Sequence, residues 1–135
     1  MGHEVVSEAK CGTISFDADR KILKLKWNSQ PLSIGEYKAM YRTCLSFQKE
    51  RQVDYFLSDA RDQPNLNDEY QSWFEKSALE IAVAQGLQKA AVIIDGNAVK
   101  IYYLNTISHI SRNFGLPFMA FKTEEAAVEW FVATL

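Results

Sequence analysis

The groups that could do chemistry in this chain gather in one stretch, Val53 to Asn67, where an alternating apolar run ends in Asp59, Arg61 and Asp62. Two carboxylates beside a guanidinium could move a proton if burial shifted one of their pKa values toward neutrality. Ser58 adds a hydroxyl, and Asp95 and Asn97 follow a second apolar run that can lie alongside the first. Ligands and partners collect at the carboxyl ends of strands in open α/β sheets, so these six residues are the binding candidates. Aspartate and asparagine also end strands and cap helices for local reasons, and an arginine beside them makes an ordinary ion pair.

Other chemistries lack their residues. The carboxylates have no histidine support and no EF-hand spacing, so no metal site is assigned. Phosphate sites need bare backbone donors at helix starts, but Glu36, Asp68-Glu69 and Glu124-Glu125 fill three expected first turns with negative charge. There is no Gly-rich phosphate loop and no Gly-x-Ser-x-Gly. His3 and His109 sit in polar surroundings and read as solvated. No catalytic residue and no cofactor are assigned. Arg20, Lys21, Lys24 and Lys26 read as the wet face of a hairpin, and Trp73 and Phe74 as core.

These residues need elements to position them. At 135 residues the chain fits a single domain with a core of its own, preceded by a loose leader over residues 1–10. With 47% hydrophobic residues, 24% charged and a formal charge of −2, it has no general attraction to nucleic acid or to acidic membranes. No apolar run reaches spanning length or forms a signal-peptide core. Cys11 and Cys44 match no metal or redox spacing and suit small buried hydrophobes in a reducing, cytoplasmic compartment.

Thr13 to Phe16 and Lys21 to Trp27 form a hairpin around Asp17-Ala18-Asp19-Arg20. Ser33 and Glu36 make a capping box, and Tyr37, Met40, Tyr41, Cys44, Leu45 and Phe47 carry helical spacing to about Gln48. After the Val53 strand, Tyr70, Trp73, Phe74, Ser77, Ala78, Ile81 and Ala82 define a second helix that Gly86 stops. Ala90 to Ile94 is a strand covered on one or both faces. A third helix from about Ala98 bears Val99, Tyr103, Ile107, Ile110 and Phe114 and ends at Gly115. Pro117 to Phe121 is the last strand, and Thr123 caps a final helix docked by Val128, Phe131, Val132 and Leu135. The order is β-β-α-β-α-β-α-β-α, a mainly parallel five-stranded sheet with four helices.

That order, with Tyr55-Phe56-Leu57-Ser58-Asp59-Ala60-Arg61 after the first helix and Trp73-Phe74 in the second, resembles the STAS-like, SpoIIAA-like family of small bacterial domains. The resemblance covers nearly the whole chain and implies helices stacked on one side of the sheet. Family members include antagonists of anti-sigma factors, switched by phosphorylation of a hydroxyl at the start of the second helix. Here Pro64-Asn65-Leu66-Asn67-Asp68-Glu69 has no hydroxyl, so the switch is not expected.

Helices on one side leave an open face, and Phe56, Ile93 and Phe118, with Ser58, Ala91 and Ala120, are its candidates. A face so apolar marks a protein interface, with a homodimer or a partner complex first, unless a helix or the leader covers it. The expectation is therefore a non-catalytic interaction or regulatory module that self-associates. The alternatives are a carrier of a small apolar or lipid-like ligand, suggested by 13% aromatic content, and an enzyme using Asp59 and Arg61.

Overall fold

A computed structural model of the chain describes residues 3–29, 31–63, 68–96, 105, 109 and 112–133. Six strands form one mixed sheet in sequence order: β1 (His3–Ala9), β2 (Gly12–Asp17), β3 (Ile22–Trp27), β4 (Tyr55–Asp59), β5 (Lys89–Ile93) and β6 (Phe118–Phe121). The first three strands are antiparallel neighbours, and β3 through β6 run parallel.

The predicted hairpin is β2 and β3. Its turn is held by the Asp17 carboxylate, which accepts from the backbone N–H groups of Asp19 and Arg20 at 3.1 and 3.2 Å. The predicted loose leader is instead β1, paired with β2 along its length. A bulge between Val5 and Ser7 breaks the period-two pattern, while Val6 packs against the core. That irregularity removes the alternation by which a strand is recognised. The sheet accordingly has six strands rather than five.

Helix α1 (Ile34–Glu50) carries the predicted capping box: the Glu36 N–H donates to Ser33 Oγ at 3.1 Å, and the Ser33 N–H donates to Glu36 Oε1 at 3.0 Å. Two satisfied orphan donors fix the start of a helix whose Tyr37, Met40, Tyr41 and Cys44 are buried. The second helix is continuous but mixed: α2 (Asp68–Trp73), a π-helical stretch π1 (Phe74–Leu79) and α3 (Glu80–Ala84). Gly86, at φ 102°, ends it in the left-handed conformation. Thr123 Oγ1 accepts from the Ala126 N–H and opens α4 (Glu124–Val132). The described residues thus hold three helical rods. Most of the expected third helix from Ala98, with Val99, Tyr103, Ile107 and Ile110, lies outside the described residues; Asn105, His109, Arg112 and Asn113 are helical.

The π stretch changes which residues face inward. A regular α-helix would bury Ile81 with Ala78, as the sequence predicts. With one extra residue in the turn, Ala78 and Leu79 are buried and Ile81 is 45% exposed. Beyond π1 the stripe is shifted by one residue.

Strand pairing sorts the sheet into two faces. Ile14, Phe16, Leu23, Leu25, Trp27, Phe56, Ala90, Val92 and Phe118 face α1 and the mixed helix, where the largest core cluster lies. Ile22, Leu57, Ala91 and Ile93 face the other way and are buried with Ala127 and Phe131 of α4. Helices therefore cover both faces, against the expectation of one. The Phe131 ring stacks on Tyr55 at a centroid distance of 4.9 Å, and its burial is worth roughly 1.5–3 kcal/mol. Val132, predicted to dock, is 48% exposed.

Candidate functional site

Asp59 closes β4 on the α4 side, in register with Lys26 on one neighbour and Ile93 on the other. Its side chain is 1% exposed and is clamped by a residue two positions on: Arg61 Nε donates to Oδ1 at 2.9 Å and Nη2 to Oδ2 at 2.7 Å. The Arg61 backbone N–H adds a longer bond to Oδ1 at 3.3 Å. Burial pushes the carboxyl upward, but the Arg61 hydrogen bonds and the nearby Lys26 charge outweigh it and hold Asp59 below the usual carboxylate range. A general base working near neutrality needs the opposite shift. Asp59 is ionised and doubly paired, a fastener for the strand exit.

Asp62 is exposed, 3.5 Å from Lys26 Nζ. Asp95 is exposed at the β5 exit, and Asn97 lies outside the described residues. Ser58, next to Asp59 in sequence, points to the opposite face because side chains alternate along a strand. There its hydroxyl accepts from Trp27 Nε1 at 3.2 Å and bonds the Tyr41 side chain. Ser58 and Asp59 therefore belong to different environments, and the predicted constellation is divided by the sheet.

The predicted open face is also corrected. Phe56 and Phe118 do share a face, but α1 and the mixed helix lie over it and both rings are half-buried in the core. Ile93 is on the other face, fully buried beneath α4. Three residues expected on one exposed surface are two core positions and a third behind them.

Around Ser58 stands an aromatic cluster. Trp27 stacks on Tyr37 at 5.6 Å, Tyr37 meets Tyr70 edge-on at 5.2 Å, and Tyr41 meets Phe74 at 5.1 Å. Burial raises the Tyr37 and Tyr41 hydroxyls well above their ordinary range, and the Cys44 thiol is pushed up to about 12 by burial alone. A thiol held protonated in this way is no nucleophile. Lys38 and Arg42 each lie 5.9 Å from the Trp73 ring centroid, covering its outer side.

A cleft absent from the sequence reading runs between β2, β3 and α4. It is lined by His3, Ser15, Asp17, Lys24, Glu124 and apolar Ile22, Leu57 and Val128. Its polar groups answer one another: Lys24 pairs with Glu124, and Asp17 accepts from Arg20 Nη1 at 3.0 Å with His3 Nε2 at 3.6 Å. The cavity is small, about 30 Å³. His3 and Asp17 meet through strand pairing across the unrecognised β1, and Lys24 meets Glu124 across a hundred residues. No local pattern signals either contact.

The two sheet edges differ. On β1 Val5 is 62% exposed, but Glu4, Glu8 and the bulge interrupt the strand, and Glu4 is bound to Arg51 at 3.1 Å. On β6 the sequence Phe-Met-Ala-Phe has no charge, and Met119 and Ala120 are exposed. Among the described residues no group of three or more His, Cys, Asp or Glu could hold a metal ion, and no helix is long and apolar enough to cross a membrane. Comparisons of the chain with protein-family models, with curated proteins and with solved structures found no match.

Proposed function

We propose that this chain is a non-catalytic interaction module whose first partner is a second copy of itself. The observation that carries the reading is the β6 edge: a sheet that is helix-covered on both faces of its parallel half ends in an uncharged strand with Met119 and Ala120 exposed. Natural edge strands are kept apart by charges, bulges or prolines; here Pro117 and Lys122 stand just outside the strand, and its four residues carry none of these. The strand exit offers no free base for bond making, because the Asp59 oxygens already accept from Arg61. The cleft between the hairpin and α4 holds only about 30 Å³, far below the several hundred of an ordinary small-molecule site, so it lends a ligand-carrier reading no support.

The same reading takes the chain as a relative of the STAS-like, SpoIIAA-like domains that lacks their usual phosphoacceptor. The hairpin followed by parallel βα units is its support. A bacterial cytoplasmic setting is part of the proposal, in keeping with two free, buried cysteines. The test is light scattering of the purified chain over a concentration series. A mass approaching twice 15.4 kDa is expected as concentration rises. A mass that stays at 15.4 kDa throughout would remove self-association from the proposal.

A further inference from the structure

Resting on the self-association proposed above, we infer that the copies join edge to edge, β6 antiparallel to β6, with Met119 on the twofold axis. The ladder to β5 fixes which groups are left over. The Ala90 N–H donates to the Pro117 carbonyl and the Ile94 N–H to the Phe121 carbonyl, both at 3.0 Å. In a parallel ladder alternate residues turn both backbone groups to the same neighbour. Pro117, Met119 and Phe121 therefore serve β5, and Phe118 and Ala120 direct their N–H and C=O groups outward.

That leftover pattern is self-complementary. A second β6 laid antiparallel about Met119 sets Phe118 of one copy opposite Ala120 of the other, twice. Each such pair exchanges two hydrogen bonds, so all four outward groups of each copy are satisfied. Met119 then meets its own equivalent at the closely spaced, non-hydrogen-bonded position, where Cα atoms lie about 4.5 Å apart. Two thioether side chains, each 45% exposed in the single chain, would cover one another.

Charge selects this edge over the other. Antiparallel self-pairing of β1 about its midpoint, Val6, would set Glu4 against Glu8 of the copy at both ends, and the bulge between Val5 and Ser7 breaks the ladder there. Like charges directly opposite are destabilising. β6 has no charge to oppose. Its four residues make a small contact, consistent with a concentration-dependent dimer.

The experiment compares Met119→Cys with Val5→Cys, both in the full chain, under mild air oxidation and non-reducing electrophoresis, beside light scattering of the parent and of Met119→Lys. The buried native cysteines are common to all samples. Expected are a reducible covalent dimer from Met119→Cys alone and at least a tenfold weaker association for Met119→Lys. A parent dimer with no Met119→Cys cross-link and an unweakened Met119→Lys would overturn the β6 geometry while leaving self-association standing. Equal cross-linking of the two cysteine variants would mean random collision and overturn it as well. A parent that stays monomeric without cross-linking would overturn both proposals together.

Discussion

If the Asp59–Arg61 pair is a fastener, removing the guanidinium must leave a charge stranded under α4. Deleting one partner of a buried ion pair costs about 3 kcal/mol or more. Arg61 is 44% exposed, so water can replace part of what it gives, and Arg61→Met is expected to cost about 2 kcal/mol. Asp59→Asn keeps an acceptor but loses the charge, for about 1 kcal/mol. In the Asp59→Asn background no charge is stranded, so adding Arg61→Met should cost well under about 1 kcal/mol, a coupling of about 1.5 kcal/mol. Urea unfolding at neutral pH measures all four corners, with unchanged dependence on denaturant as the check that only stability has moved. Equal costs of Arg61→Met in the two backgrounds would refute the argument.

The pair also sets a pH dependence whose sign is fixed. The folded-state pKa of Asp59 is lowered, so the folded protein holds the proton less tightly than the unfolded chain does. Its contribution is fully present above the unfolded value of about 3.9 and is lost as pH falls through the lower folded value. In Arg61→Met that loss should shrink, because burial then acts on the carboxyl without the hydrogen bonds that opposed it.

Two further substitutions and a pair of deletions probe how the fold is held. Phe131→Ala should cost about 3–5 kcal/mol in urea unfolding, since Phe131 is 1% exposed and stacks on Tyr55; a cost under about 1 kcal/mol would mean that α4 does not cover that face. Gly12→Ala should cost about 1–3 kcal/mol, because an added Cβ would stand 2.5 Å from the Lys26 carbonyl, and a neutral thermal melt would contradict that close approach. Deleting exposed Lys76 should cost less than about 1 kcal/mol, whereas deleting Arg42 from α1 should cost several, because it rotates Cys44 and Gln48 off the buried side. Equal losses from the two deletions would contradict the one-residue insertion in the second helix.

That deletion shows what sequence periodicity could and could not convey. Phe74, Ala78, Leu79, Ala82 and Val83 are buried or half-buried, a spacing of i, i+4, i+5, i+8 and i+9. Without Lys76 it becomes i, i+3, i+4, i+7 and i+8, the stripe of an ordinary α-helix. The sequence also offers Ser77, Ala78, Ile81 and Ala82 at regular spacing, and nothing local prefers one register. Only the pocket that receives Leu79, between Ala90 and Leu116, decides it. The caps at Ser33 and Thr123 were legible because their partners lie three residues away. The β1 strand was not, because its partner is another segment and its bulge erases the alternation.

The candidate site divides along the same line. Strand alternation alone puts Ser58 and Asp59 on opposite faces, so their separation was available from the period of two. Whether the second face was open was a different matter. A helix between two parallel strands is placed by the right-handed crossover, but α4 follows the last strand and has no return strand to constrain it. Its apolar side, Ala127, Val128 and Phe131, could have served either face. The strands themselves narrow the choice: β5 reads Ala-Ala-Val-Ile without a polar interruption after Lys89, the pattern of a strand buried on both sides. An apolar second face needs a cover, and α4 is the helix free to supply it. The shape of the sheet then leaves a partner the edge and not the face, and of the two edges only β6 lacks a charge.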